Sequence, residues 1–331
     1  MAKPIISIIG LGLTGTSLGL ALQREETNFE IVGHDKEPEM SRRARQQGAV
    51  HRTEWNLHSA VDGCNLVVLA IPLSEVADTL GHIAADLQPG TLVLISVNAM
   101  QPAIEFADEH LSEEIRCVVL HPILNGVGGT PSARADLFDG TTICLAPTLQ
   151  TAPEAVQLAS DFVERIGAKP LFMDPQEHDG IIAGVEYLPQ LLAAALMRVS
   201  TGSPGWVEAQ RLAGRQFAQS TELLSSAEQM LGTFQANRDV LMLRLGQLQQ
   251  ELASWQLWLS QEAAGDDPEA LKRALEESKN ARDEWELKAE FKDWSTNDAP
   301  AIDQTPPGMM RQLFFGNLLG GKRASRGDDN R

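Results

Sequence analysis

The residues of this chain best suited to chemistry begin at Gly10-Leu11-Gly12-Leu13-Thr14-Gly15, a GxGxxG turn. It follows the apolar run Pro4–Ile9 and opens a helical pattern from Thr16 to Gln23. That context makes it a dinucleotide fingerprint and sets aside a glycine turn with no ligand. Gly10 permits the tight turn, Gly12 lets the backbone approach a pyrophosphate, and Gly15 lets helix and strand pack closely. The helix start, with Leu13 and Thr14, offers unpaired N–H groups to phosphates. Asp35 stands 20 residues after Gly15, at the end of the second strand-like run. An acid there can bind both ribose hydroxyls, and it favours NAD over NADP because a 2′-phosphate would meet its charge. Lys36 beside it weakens that preference and keeps NADP open. Ala70 and Pro72 close the third strand, where a small apolar turn would abut the adenosine side of the cofactor. Packing alone explains that turn nearly as well.

His121-Pro122 ends the run Arg116–Leu120. Ligands of open α/β sheets bind outside the carboxyl ends of strands. A histidine there can accept a hydrogen bond or proton from a substrate hydroxyl while hydride leaves for nicotinamide. Position alone serves equally a loop histidine with structural hydrogen bonds. No metal site is expected. Cys64, Cys117 and Cys144 are too few and scattered for a zinc site or a disulfide framework. Cys117 and Cys144 lie in apolar runs and read as reduced packing residues of a cytosolic, hence cytoplasmic, protein.

The elements that must position these residues are legible. Strand-like runs at Pro4–Ile9, Phe29–Val32, Leu66–Ile71, Thr91–Val97 and Arg116–Leu120 alternate with helical patterns. Thr142–Ala146 and Lys169–Met173 extend the same sheet. The fold class is therefore α/β, an N-terminal Rossmann-type parallel sheet followed by an all-α C-terminal domain. We place the dinucleotide-binding domain at 1–173, a helical substrate and dimerisation domain at 174–292, and a disordered tail at 293–331. Leu241, Leu245, Leu248 and Leu252, continued by Trp255 and Leu259, form a stripe expected to be helix core. So long an apolar helical region points to a homodimer. The apolar stretch Leu188–Met197, broken by Pro189 and Gln190, is far short of a membrane span.

The net charge is −18, with 27 basic against 45 acidic residues. A chain this acidic is a poor nucleic-acid binder and a poor ligand for anionic membranes. Its proposed ligands are anions too, so local donors must hold them.

The string His121-Pro122-Ile123-Leu124-Asn125-Gly126, then Gly128, Ala135, Leu137-Phe138 and Ala146-Pro147, resembles the prephenate dehydrogenase family. Ile166-Gly167-Ala168, Met173, Pro175, His178-Asp179 and Leu188-Pro189 recur in order, and the resemblance spans roughly residues 4–290. It implies oxidative decarboxylation of prephenate or arogenate on the route to tyrosine. Hydride passes to NAD(P)+ and the ring loses CO2 as it becomes aromatic. His121 matches the family histidine that accepts a hydrogen bond from the substrate hydroxyl. The substrate would lie in a cleft with Gly126 and His121 on the sheet side and Tyr187 and Gln190 on the helical side. For His178, a helix-start role beside Asp174 and Asp179 and a substrate contact are both open.

The sequence departs from the family pattern at several positions. Asn98 stands where a serine usually bonds the catalytic histidine, and Met100 where a lysine is common. The family's Ser-His-Leu-Pro-His is Glu186-Tyr187-Leu188-Pro189-Gln190, and its Thr-Arg is Thr221-Glu222. Glu222 would repel a dianionic substrate; Arg211 or Arg215 would have to compensate. Two other readings therefore stand: a non-catalytic dinucleotide-binding protein, and a dehydrogenase for another small hydroxy acid.

Overall fold

The structure, a computed structural model, describes residues 3–24, 28–124, 132–147, 151–260 and 269–291. Its centre is an eight-stranded sheet in the order β3-β2-β1-β4-β5-β6-β7-β8. The strands are β1 (Ile5–Ile9), β2 (Glu30–His34), β3 (Arg52–Thr53), β4 (Leu66–Leu69), β5 (Leu92–Ser96), β6 (Arg116–Ile123), β7 (Thr142–Ala146) and β8 (Lys169–Phe172). Adjacent strands pair in parallel except β6 with β7. The expected sheet is thus present, with one antiparallel pair inside it. β3 was absent from the sequence reading because two residues leave no apolar run to detect.

The continuous apolar strands follow from cover on both faces. Ile6, Ile8, Leu66, Val68, Leu92 and Leu94 point into one buried core with α1 (Leu13–Leu22) and α6 (Pro153–Arg165). Ile9, Val67, Leu69, Val93, Ile95 and Val119 point into the other, with α4 (Leu73–Ile83) and α5 (Met100–His110). Two shorter helices, α2 (Pro38–Gln46) and α3 (Leu57–Val61), complete the layers. His121 shares the parity of Val119, so the strand alternation directs it to the face covered by α5.

The chain divides into two compact units. The first holds the described residues up to Ile182 together with Ser226–Ala236, which contains α11 (Ala227–Ala236). The second comprises Ala183–Ser225 and the described residues from Asn237. The last strand ends at Phe172, and packing carries α7 (Pro175–Ile182) with the sheet, because α7 lies against α5.

The second unit contains α8 (Leu188–Thr201), α9 (Trp206–Leu212), α10 (Arg215–Thr221), α12 (Arg238–Leu259) and α13 (Ala270–Phe291). A π-turn at Ala183–Tyr187 precedes Pro189, which has no N–H to donate to the preceding turn. The helix therefore runs on through the proline, and Pro175–Thr201 is one 27-residue run. By length and composition alone that run could cross a membrane, which corrects the shorter apolar stretch expected from sequence. Its His178 and Asp179 are buried polar residues of the sheet unit. Of the α12 stripe, Leu241 is buried, but Leu252 and Leu259 are 51% and 69% exposed. This corrects the expectation of a helix core: one chain leaves two of the six stripe residues exposed and three more only half-buried.

Candidate active site

The cofactor end is built where β1 runs out. Gly10 has φ +91°, and a Cβ there would lie 2.4 Å from the Ala70 carbonyl oxygen. Conformation and close approach both demand glycine. A Cβ on Gly15 would lie 1.8 Å from the Gly10 carbonyl oxygen. Gly12 differs. Its φ is −72°, and nothing lies within 4 Å of a Cβ built on it. Among the described residues, neither strain nor packing explains that glycine. The start of α1 also carries no side-chain cap. An open cradle over Gly12 beside uncapped helix N–H groups fits a phosphate group.

Asp35 shapes the turn from the neighbouring strand. One oxygen accepts the Leu11 N–H at 2.7 Å and the other accepts the Glu37 N–H at 2.8 Å. Each carboxylate oxygen has a second lone pair, so ribose hydroxyls can still donate to it. Lys36 Nζ lies 2.5 Å from Glu75 Oε1, and the bond and charge of Glu75 raise the lysine above its ordinary pKa. The cation beside Asp35 is therefore already partnered. Ala70 and Pro72 are half-buried at the same edge, one strand away from Gly10.

The reacting end lies on the same carboxyl edge. The last β5–β6 pair is Ser96↔Leu120, and His121 follows one residue later. From β1 to β6 is three strand spacings, roughly 14 Å, within the span of an extended dinucleotide. The strand does not end at Leu120 as expected. The antiparallel partner β7 holds it to Ile123, with His121 opposite Cys144. His121 is therefore a strand residue, only 7% exposed.

Its ring meets a second histidine. His121 Nδ1 and His178 Nε2 are 3.0 Å apart, with the rings edge-on at 86°. His178 Nδ1 lies 2.9 Å from Asp179 Oδ1. Asp179 accepts the Met100 N–H at 2.8 Å and the Gln101 N–H at 2.9 Å, the first N–H groups of α5. His178 and Asp179 are 1% and 3% exposed. Burial, and then the neighbouring His178, push His121 down to about 3, so its imidazole is neutral at neutral pH. The helix-start role weighed for His178 belongs to Asp174, whose Oδ1 accepts the N–H groups of Gln176 and Glu177.

The other expected residues are placed as follows. Asn98 sits half-buried in the turn between β5 and α5. Met100, at the position of an expected lysine, is fully buried in the core. In the second unit Tyr187 is fully buried, Gln190 is half-buried, and Glu222, Arg211 and Arg215 are exposed. Gly126, with Asn125 and Gly128, lies outside the described residues, as do 293–331. Among the described residues no cluster of three or more His, Cys, Asp or Glu could hold a metal. Burial pushes the Cys64 and Cys117 thiols up to about 12. Sequence reasoning missed Asp179 as a partner of the site. The signal available was an Asp directly after His178, on the helix that follows the last strand.

A switch-point turn for a dinucleotide and a neutral histidine on the same sheet edge define a Rossmann-type dinucleotide-dependent oxidoreductase fold. The comparisons specify it. Residues 18–171 match the nucleotide-binding domain of prephenate dehydrogenase and residues 174–277 its dimerization domain, so the chain belongs to the prephenate dehydrogenase family. It is 26% identical over 285 residues to prephenate dehydrogenase of Bacillus subtilis, covering 85% of this chain and 76% of the relative. The fold matches prephenate dehydrogenase of Aquifex aeolicus, solved with hydroxyphenyl propionate and NAD+. The TM-score is 0.77 at 22% identity, over 86% of this chain and 99% of that one. Synechocystis arogenate dehydrogenase gives a TM-score of 0.68 at 23% identity, over 85% and 99%.

Proposed function

We propose that the chain is an NAD-dependent prephenate or arogenate dehydrogenase in tyrosine biosynthesis. The observation that carries this reading is His121: a neutral imidazole, fixed in a strand, on the same edge as the dinucleotide turn. Bound NAD+ supplies the hydride acceptor. The chain's own residues do the rest. The glycine-turn amides and Asp35 hold the dinucleotide at β1. His121 accepts a hydrogen bond from the substrate hydroxyl and draws electron density onto the carbon that gives up hydride. The ring carboxylate leaves as CO2, its bonding pair enters the ring, and the hydroxyl keeps its proton as the product phenol. The reaction balances without net proton release, so an acceptor that stays neutral suits it. Aromatisation drives the step, and the protein mainly positions.

Asp35, with Lys36 held by Glu75, supports NAD over NADP. A homodimer through the helical unit is supported by the match to a dimerization domain and by exposed Met242, Leu243, Leu252, Leu257 and Leu259 on α12. The test is a spectrophotometric assay of prephenate and arogenate against NAD+ and NADP+. Turnover with NAD+ is expected, with at least a 10²-fold loss of kcat in His121→Ala. No turnover with either acid, while NAD+ still binds, would overturn the reading.

A further inference from the structure

We infer that Trp55 is a cofactor-binding residue whose indole ring is the platform on which the adenine ring of the dinucleotide stacks. The inference rests on the dinucleotide-dependent reading above. It adds the group that meets the base, which neither the glycine turn nor Asp35 supplies.

Position carries the inference. Pairing between β2 and β3 runs past the end of β3. The Glu54 N–H donates to the Gly33 carbonyl oxygen at 3.0 Å, and His34 Nδ1 lies 3.0 Å from the Glu54 carbonyl oxygen. Asp35 follows His34 and Trp55 follows Glu54, so the two leave one edge of the sheet on neighbouring strands. Neighbouring strands are about 4.8 Å apart, and the base of an adenosine is joined to the ribose that Asp35 would hold. The backbone around Trp55 is tethered on both sides. Arg52 pairs with Glu30 at 2.8 Å and also with Glu54, and Asn56 Oδ1 accepts the His58 N–H at 3.0 Å to cap α3. α3 in turn packs against β2 and α4, and Lys36 after β2 meets Glu75 on α4. Yet the Trp55 side chain is 89% exposed, the most of any large apolar residue among those described. Its ring has no stacking or hydrogen-bond partner among the described residues, whereas Trp206, Trp255 and Trp285 each have a ring or a cation against them. A lone exposed apolar residue needs no explanation on a plain surface. Here a tethered turn presents a bare indole beside the ribose site. An indole face takes a purine face by offset stacking. That contact asks for no charge, which suits a chain of net charge −18 that must hold an anionic cofactor.

The experiment titrates full-length protein with ADP-ribose, which keeps the base, both riboses and the pyrophosphate and lacks the nicotinamide. Two readouts are taken, intrinsic fluorescence and calorimetry. In wild type ADP-ribose is expected to quench tryptophan fluorescence. In Trp55→Phe that quench is expected to vanish although the other tryptophans remain. By calorimetry Trp55→Ala and Trp55→Leu should weaken ADP-ribose at least about fivefold, and Trp55→Phe, which keeps a ring, should stay within about twofold. The KM for NAD+ should follow the same order. The side chain is exposed, so all three variants should unfold at the wild-type temperature. An ADP-ribose affinity unchanged in Trp55→Ala overturns the inference. So does an equal loss in Trp55→Phe and Trp55→Leu, which would mark a need for bulk and not for a ring. Wild type that binds no ADP-ribose overturns this inference together with the dinucleotide reading. Wild type that binds it and turns over neither acid overturns the dehydrogenase reading alone, and the variants still decide Trp55.

Discussion

The glycine turn and the His121 relay share one edge of one sheet but are made of different material. At the turn, backbone meets backbone: Gly10 against Ala70, Gly15 against Gly10, Leu11 N–H on Asp35. At the relay, side chains reach across the fold, from position 121 to 178 and from 179 to 100. In the proposed function the turn binds through what is absent, since a missing Cβ at Gly12 leaves open space beside the helix start. The relay acts through what is present, a row of groups whose donors and acceptors must alternate. One is therefore sensitive to volume and the other to proton placement.

That contrast predicts opposite outcomes at two glycines in the same motif. In Gly15→Ala the new carbon would stand 1.8 Å from a backbone oxygen that cannot move away cheaply. We expect a loss of more than about 3 kcal/mol, seen as failed expression or a collapsed urea midpoint. In Gly12→Ala the new carbon enters open space at an ordinary φ of −72°. Stability should be unchanged or up to about 1 kcal/mol higher. NAD+ affinity should fall by at least about tenfold by calorimetry, because the methyl fills the cradle. If Gly12→Ala bound NAD+ as tightly as wild type, the open space would not be the phosphate site.

The relay predicts a pH profile. Its first cause is burial and its second is His178, which together hold His121 near 3 against an ordinary value of 6.5. The neutral acceptor therefore survives as pH falls from 7 to 5. kcat/KM reports groups of the free enzyme, so it should show no loss assignable to His121 near pH 6.5. Stability moves the other way. The unfolded chain protonates this histidine below about 6.5 and the folded chain does not, so folding weakens as pH falls through that window. One such proton is worth about 1.4 kcal/mol per pH unit. A drop in kcat/KM centred near 6.5 that disappears in the His121 variant would break this account.

The same contrast explains what was legible in the sequence. Central strands covered on both faces read as unbroken apolar runs, and the apolar residues of the edge strand β8 sufficed as well, so seven of the eight strands in the sheet could be seen. The turn was visible because its residues are contiguous and each glycine has a local reason. Nothing local encodes pairing direction, so β7 gave no sign of running antiparallel to β6 or of extending that strand past His121. The relay joins residues 57 positions apart, and its far end is held by backbone amides that carry no residue identity. The α12 stripe was read as core because periodicity reports that a face is apolar without saying what covers it.

The smallest effect concerns cofactor choice at the edge between Asp35 and α4. Lys36 is the cation nearest in sequence to the acid expected to reject a 2′-phosphate, and Glu75 in the first turn of α4 holds it. The pair is largely exposed, so it contributes little to stability. Its consequence is directional: a lysine bonded to Glu75 is not offered to a phosphate. Glu75→Gln removes the charge while keeping the side-chain length, which frees Lys36 to turn toward the ribose. We expect the ratio of kcat/KM for NADP+ to that for NAD+ to rise by a few fold, with the NAD+ value nearly constant, since Asp35 remains. A few fold is under about 1 kcal/mol, the scale of an exposed ion pair. Asp35→Asn added to Glu75→Gln should raise the ratio further. An unchanged ratio in the double variant would show that the 2′ position lies away from this pair.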